Sequence, residues 1–222
     1  DASLNGASTY HNQAVILDGS SGEIKATVKH DDVVEYCAFS PDGQRLATAS
    51  RDGTAMVWDA QSGAALGSPL RHFTNVKFVR FSPDGRRLLT TCWDNTAWVW
   101  DLTTGKILTE PIRHDNRIVA AGFSPDGLRV ATGSMDHTAM VWDIQSGEQL
   151  PLSFRSKGDA GVAFSPSGHR LLIWSSDGTA RVWNPQTGAP VTPVLRHANW
   201  IVSGRFSPDG SRVVTASHDK SA

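Results

Sequence analysis

An all-β fold of repeated four-stranded antiparallel sheets is predicted by three features of this chain. The phrase Phe39-Ser40-Pro41-Asp42-Gly43 returns with its Phe at Phe81, Phe123, Phe164 and Phe206, the fourth copy carrying Ser167 in place of the Asp. A Trp followed by Asp or Asn keeps step with it, at Trp58, Trp100, Trp142 and Trp183. The segments between are short, rich in β-branched and aromatic residues, and bounded by Gly, Pro and Asp. No stretch repeats apolar residues at helical spacing for long enough to make a helix. A period of about 40–45 residues with such a paired marker is the sign of sheets stacked radially as the blades of a propeller.

The elements follow in order. Gln13-Ala14-Val15-Ile16-Leu17-Asp18 aligns with Thr54-Ala55-Met56-Val57-Trp58-Asp59 and reads as the third strand of a unit, with residues 24–29 as its fourth. In the first complete unit, residues 33–39 read as a strand, and Ser40-Pro41-Asp42-Gly43 turns the chain. Pro presets φ there and Gly accepts a positive φ. Residues 45–50 and 54–59 are the second and third strands. Residues 64–70 are a weaker fourth, whose Gly67 and Pro69 suit an edge. Such a sheet has two apolar faces and buries them by stacking against its neighbours. The complete units span residues 30–71, 72–113, 114–154 and 155–196. Residues 197–222 supply a first and a second strand, so 197–222 plus 9–29 make a composite blade. The simplest sum is one domain, 1–222, of five blades, whose closure hides two sheet edges. In a second reading residues 1–9, where Asp1 aligns with Asp42 and Thr9 with Ser50, form a degenerate second strand. The chain is then a piece of a longer array, and self-association is expected because the ring is incomplete.

Composition narrows the function. The 21 basic and 22 acidic residues leave a net charge of −1, so no general field attracts polyphosphate and nucleic acid is not the expected partner. No apolar run reaches the roughly 18 residues of a membrane helix, and the start shows no signal-peptide pattern. Two cysteines, Cys37 and Cys92, make no disulfide framework, and a cytoplasmic, reducing location is expected.

The repeat closely resembles the WD40 repeat, over roughly residues 9–222, with several landmarks recurring in phase. The resemblance implies that a Trp, a Ser or Thr, a His and an Asp in each blade form an internal hydrogen-bond network. The Asp stands 13 residues after each repeat Phe, at Asp52, Asp94, Asp136, Asp177 and Asp219. His30, His72, His114 and His197 stand nine before it. The chains implied are Asp52–His30–Ser50–Trp58 and Asp136–His114–Ser134–Trp142, with Trp100 and Trp183 in the corresponding places. In the second unit Cys92 replaces the Ser, so Asp94–His72 lacks its hydroxyl link. The fourth has Arg155 and Ser156 where the His belongs and is one residue short, which makes it the loosest complete blade.

Ser, His and Asp also suggest a hydrolase triad, but a triad is needed once and these recur in every unit, so no catalytic residue is assigned. Nor is a metal: the recurrent His are one per blade, with no C-x-x-C or H-E-x-x-H spacing, and His11, His137 and His169 fall in turns. No cofactor is implied. The resemblance places the usual docking surface on the loops before the first strands and the second-to-third strand turns. Positions there are Val33, Glu35 and Arg51; Asn75, Lys77 and Trp93; Arg117, Val119 and Met135; Gly158, Ala160 and Ser176; Trp200, Val202 and His218. Trp93, Met135 and Trp200 are large apolar groups on it, and Arg51, Lys77 and Arg117 a cationic arc. Trp93 or Trp200 has the second reading of folding back as cover, and Trp174 is either packing between blades or filling an axial channel. The function implied is a non-enzymatic scaffold binding another protein or an extended, partly acidic peptide with an apolar anchor. The alternative is a regulatory or sensor domain of a larger protein.

Overall fold

The computed structural model describes residues 11–151 and 154–222. The reading of residues 1–9 as a strand lies outside the described residues. Those described contain twenty-one strands and no helix, and fall into two compact units, up to Pro111 and from Ile112.

The first unit opens with an antiparallel ribbon, β1 (Gln13–Leu17) and β2 (Ile24–Lys29). Then come two sheets in simple meander order: β3 (Val34–Phe39), β4 (Arg45–Ser50), β5 (Thr54–Asp59), β6 (Leu70–Arg71), and β7 (Val76–Phe81), β8 (Arg87–Cys92), β9 (Thr96–Asp101), β10 (Lys106–Ile107). The second unit begins with β11 (Ile112–Arg113). It holds the sheets β12 (Ile118–Phe123), β13 (Arg129–Ser134), β14 (Thr138–Asp143), β15 (Phe154–Arg155), and β16 (Ala160–Phe164), β17 (Leu171–Ser175), β18 (Thr179–Trp183), β19 (Leu195–Arg196). It ends with the ribbon β20 (Ile201–Phe206) and β21 (Val213–Ser217).

The repeated phrase is a turn held by its own atoms. Ser40 Oγ donates to Asp42 Oδ1, the Gly43 N–H donates to Ser40 O at 2.9 Å, and Gly43 takes φ +70°. The fourth strand differs from expectation. Residues 64–70 are not one strand: Ala65 bridges Trp58, and pairing resumes only at β6. Gly67 at φ +89° bends the chain between them, and Pro69 has no N–H to give.

β4, β8, β13 and β17, together with β9, are the most buried strands. Ala47 and Ala49 of β4 pack with Val76, Val79 and Leu88 of the next sheet, all at 0% exposure. In the second unit Ala131 and Val141 pack with Ala160, Leu171 and Ile173. Burying one such Val or Leu side chain is worth about 1.5–3 kcal/mol. Trp174 packs between sheets: a Cβ on its cross-strand partner Gly161 would lie 2.3 Å from its Cε2, and one on Gly204 of β20 2.8 Å from its Cε3. The indole occupies the space that two absent side chains leave.

The one-residue deletion in the fourth unit also gains a meaning. In β3, β7, β12 and β20 the register slips at one residue, leaving Glu35, Lys77, Val119 and Val202 as bulges. In β16 pairing runs unbroken from Ala160↔Ser175, and no bulge forms.

Candidate functional site

Two constellations build on this frame, one inside each sheet and one at its loop end. The internal one is clearest in β3–β6. His30 Nδ1 meets Asp52 Oδ2 at 2.9 Å, and its Nε2 meets Thr48 Oγ1 at 2.6 Å. The Trp58 indole N–H donates to the same Thr48 oxygen at 2.8 Å. That hydroxyl accepts from Trp58, so its proton goes to His30 Nε2, and the imidazole carries its own proton on Nδ1, facing Asp52. Burial alone raises the Asp52 carboxyl, but hydrogen bonds from Thr54 and His30 outweigh it and hold the group below the usual carboxylate range.

Here the expected chain needs correction: the link is Thr48, not Ser50. Trp58 pairs with Leu46, and Ser50 lies four residues further along β4, roughly 13 Å at strand spacing. Ser50 instead accepts from the Asp52 N–H and donates to Asp32 O, both at 3.1 Å, pinning the turn to the loop before β3. The same replacement holds in β12–β15. His114 bridges Asp136 and Thr132, each at 2.8 Å, while Ser134 donates to Asn116 O. There the buried Trp142 indole N–H has no partner among the described residues. His197 joins Asp219 at 3.0 Å and Thr215 at 2.9 Å. Thr48, Thr90, Thr132 and Thr215 recur in phase nine residues after each Phe, a signal as regular as the Ser.

The second sheet departs further. Asp94 is taken up by Thr96, and His72 Nδ1 lies 3.2 Å from Cys92 Sγ. Its ring stands perpendicular to both Trp98 and Trp100, and Trp100 still donates to Thr90 at 3.1 Å. Burial pushes the His72 imidazole down to about 4 against the opposing pull of Asp94. Burial, with Asp94 beside it, pushes the Cys92 thiol up to about 12. A buried protonated thiol beside a neutral imidazole is no activated nucleophile.

At the loop end, one backbone bond recurs in the four larger sheets and in the ribbon β20–β21: the residue before the turn Asp donates to the loop ahead of the first strand. These are Arg51 N to Val33 O, Trp93 N to Asn75 O, Met135 N to Arg117 O, Ser176 N to Asp159 O and His218 N to Trp200 O. Arg51 also bonds Glu35, and the Lys77 ammonium lies 5.1 Å above the Trp93 ring. Trp200 is 61% exposed, edge-on to His218, and the bulge residues Val119 and Val202 are 49% and 56% exposed. Bulges of this kind re-aim side chains outward. Met135 is only half-buried, and Trp93 stands at 36% exposure. In the fourth sheet the expectation of exposed positions fails: Gly158 and Ala160 are buried, because the missing bulge draws the strand inward. One aromatic was overlooked. Phe73 is 92% exposed, in a position where other repeats carry Asp31, Asp115, Lys157 and Ala198. A large aromatic among small or charged equivalents was the available signal.

The family model described as WD domain, G-beta repeat matches residues 22–59, 67–101, 105–143, 158–184 and 189–222. The chain belongs to the WD40 family. WD40 repeats generally mediate protein–protein interaction. Human (Homo sapiens) WD repeat-containing protein 86 is 36% identical over 47 residues, 21% of this chain. The match spans 12% of that protein's length. No described helix is long and apolar enough to cross a membrane, and no group of His, Cys, Asp or Glu among the described residues could hold a metal ion.

Proposed function

We propose that this chain is a non-enzymatic interaction module that binds an extended, partly acidic peptide segment of a partner protein on the loop ends of its blades. The bulges carry the reading: they turn Lys77, Val119 and Val202 outward beside Trp93, Arg117 and Trp200. Arg51 and Met135 complete the proposed surface. Aromatic anchors with a cationic rim suit an acidic peptide with an apolar residue, and the balanced net charge favours a protein over nucleic acid. Under the same reading the chain sediments as a monomer, and a stable dimer points instead to self-association. The two free cysteines suit a cytoplasmic location.

The test is selection from a displayed peptide library followed by calorimetry. Selected peptides are expected to combine Asp or Glu with an aromatic or aliphatic anchor. Trp200→Ala and Lys77→Glu should each weaken binding at least about tenfold without lowering the melting temperature. Undiminished binding by both variants removes this surface.

A further inference from the structure

The repeated turn phrase carries more than its own closure. Three residues after its acid position stands an Arg, at Arg45, Arg87, Arg129, Arg170 and Arg212. Where the acid is present and a sheet follows in the same unit, this Arg fastens the two sheets. Arg129 Nη2 donates to Asp126 Oδ2 at 3.2 Å and to Gly168 O of the next sheet at 3.1 Å. Arg45 Nη2 donates to Gly85 O of the next sheet at 2.8 Å. Bonds from the Ser40 hydroxyl and the Gln44 N–H, with the Arg45 charge beside them, hold the Asp42 carboxyl below the usual carboxylate range.

The fourth sheet breaks this pattern at one place. Its phrase has Ser167 for the acid. The turn still closes, Gly168 N to Ser165 O at 2.9 Å, but Ser167 Oγ lies 3.2 Å from Ser165 Oγ and 3.4 Å from His169 N. In the other four copies the Asp oxygen is 2.5 Å from the Ser hydroxyl and 2.9–3.0 Å from the equivalent nitrogen. The Arg170 guanidinium is exposed and has no partner among the described residues. The next sheet is nevertheless in position. A Cβ on Gly210 would lie 3.4 Å from Pro166 Cδ, much as one on Gly168 would lie 3.3 Å from Pro125 Cδ, yet no Arg170 atom comes within 4 Å of that point. Arg212 has its acid, Asp209, but no sheet after it among the described residues, and it too is exposed and unbonded. The clamp therefore needs both an anion and a facing carbonyl, and Arg170 has the carbonyl alone.

We propose that Ser167 is a phosphorylation site whose phosphate completes this clamp. A protein kinase transfers the γ-phosphoryl group of a nucleoside triphosphate to Ser167 Oγ; the hydroxyl proton passes to the kinase and the nucleoside diphosphate leaves. The phosphate brings a charge of about −1.5 to −2 to the place where the other copies carry a carboxylate. It accepts from the Ser165 hydroxyl, the His169 N–H and the Arg170 guanidinium, whose remaining N–H groups reach Gly210 O. Pro166, Ser167, His169 and Arg170 are exposed and open to an enzyme, whereas Ser165 is 1% exposed. The junction between β16–β19 and the ribbon β20–β21 is thus conditional, where the junctions held by Arg45 and Arg129 are permanent. The site lies at the opposite end of β16 from the loop-end surface and does not rest on the docking reading.

The test has two arms on the full chain. Mass spectrometry of the chain isolated from its own cells should find phosphate on Ser167 and none on Ser165. A chain with phosphoserine placed at residue 167 by genetic encoding is then titrated by ³¹P NMR. The phosphate should lose its second proton about 0.5 pH unit below its usual value near 6, and Arg170→Gln should restore that value. In the same phosphorylated chain the amides of β20–β21 should exchange about twofold to fivefold more slowly than in the unmodified one, a gain that Arg170→Gln removes. An unmodified Ser167 in the chain from its own cells overturns the proposal, as does a phosphate whose titration Arg170→Gln leaves unmoved.

Discussion

Replacing Thr48 by Val tests the internal network at its pivot. The side chains are nearly isosteric, so packing is kept and the hydroxyl alone is lost. Thr48 is fully buried, and its oxygen joins His30 Nε2 at 2.6 Å and Trp58 Nε1 at 2.8 Å. Both nitrogens are stranded in a place water cannot reach. An unpaired buried polar group costs about 1–3 kcal/mol, so the pair costs about 2–4 kcal/mol, allowing for partial relaxation. In a chain of this length that corresponds to a fall in melting temperature of roughly 5–15 °C.

The same substitution in the other sheets supplies its own controls. Thr132 holds His114 alone, since the Trp142 indole N–H is already unpartnered. Thr90 holds Trp100 alone, at the longer distance of 3.1 Å, because His72 has turned to Cys92. Thr132→Val and Thr90→Val should each cost about 1–2 kcal/mol. Ile173→Thr places a hydroxyl within reach of Trp183 but removes a buried ethyl group, and should cost about 1–2 kcal/mol. Thermal unfolding followed by near-ultraviolet circular dichroism measures all four. The reasoning fails if Thr90→Val costs as much as Thr48→Val, because the number of stranded nitrogens then does not set the loss.

Three further outcomes follow from the packing and the charges. Gly161→Ala should cost about 1–3 kcal/mol by forcing a Cβ against Trp174, and the cost should shrink when Trp174 is also Ala, a coupling a double-mutant cycle reads directly. His72 should make stability fall as the pH drops from about 6.5 towards 4: the unfolded imidazole takes up a proton near 6.5, while burial keeps the folded one neutral down to about 4. At about 1.36 kcal/mol per pH unit the contribution approaches 3 kcal/mol, and a His72→Phe chain with an unchanged pH profile of the urea midpoint refutes it. In hydrogen exchange the amides of β16–β18 should open faster than those of β3–β5, which have the complete network; better protection in β16–β18 contradicts this.

Much of this molecule was legible because its information is local. Ser40-Pro41-Asp42-Gly43 closes through bonds among its own atoms, so the phrase alone predicts a turn and its recurrence predicts the sheets. What stayed hidden depends on register. Thr48 and Ser50 both project from the same face of β4, and only the pairing of Trp58 with Leu46 decides which hydroxyl the indole can reach. The short spacing in the fourth repeat was visible as a number, but its consequence, a lost bulge and a buried Ala160, exists only in cross-strand pairing. The two-residue outer strands escaped for a related reason, since Gly67 and Pro69 break pairing without changing the apolar pattern.

The departures from the repeat are concentrated rather than scattered. Ser156 for His, Ile173 for Thr, Ser167 for Asp, Trp174 opposite Gly161 and the deleted residue all fall in the fourth unit. A repeat array is stabilised by each sheet's own bonds and by its neighbours' faces. Leu171, Leu172 and Ile173 keep this sheet's apolar faces fully buried while its polar fastening is dismantled. Packing can therefore hold the sheet in place without the imidazole, which releases the polar end of that sheet from a structural duty.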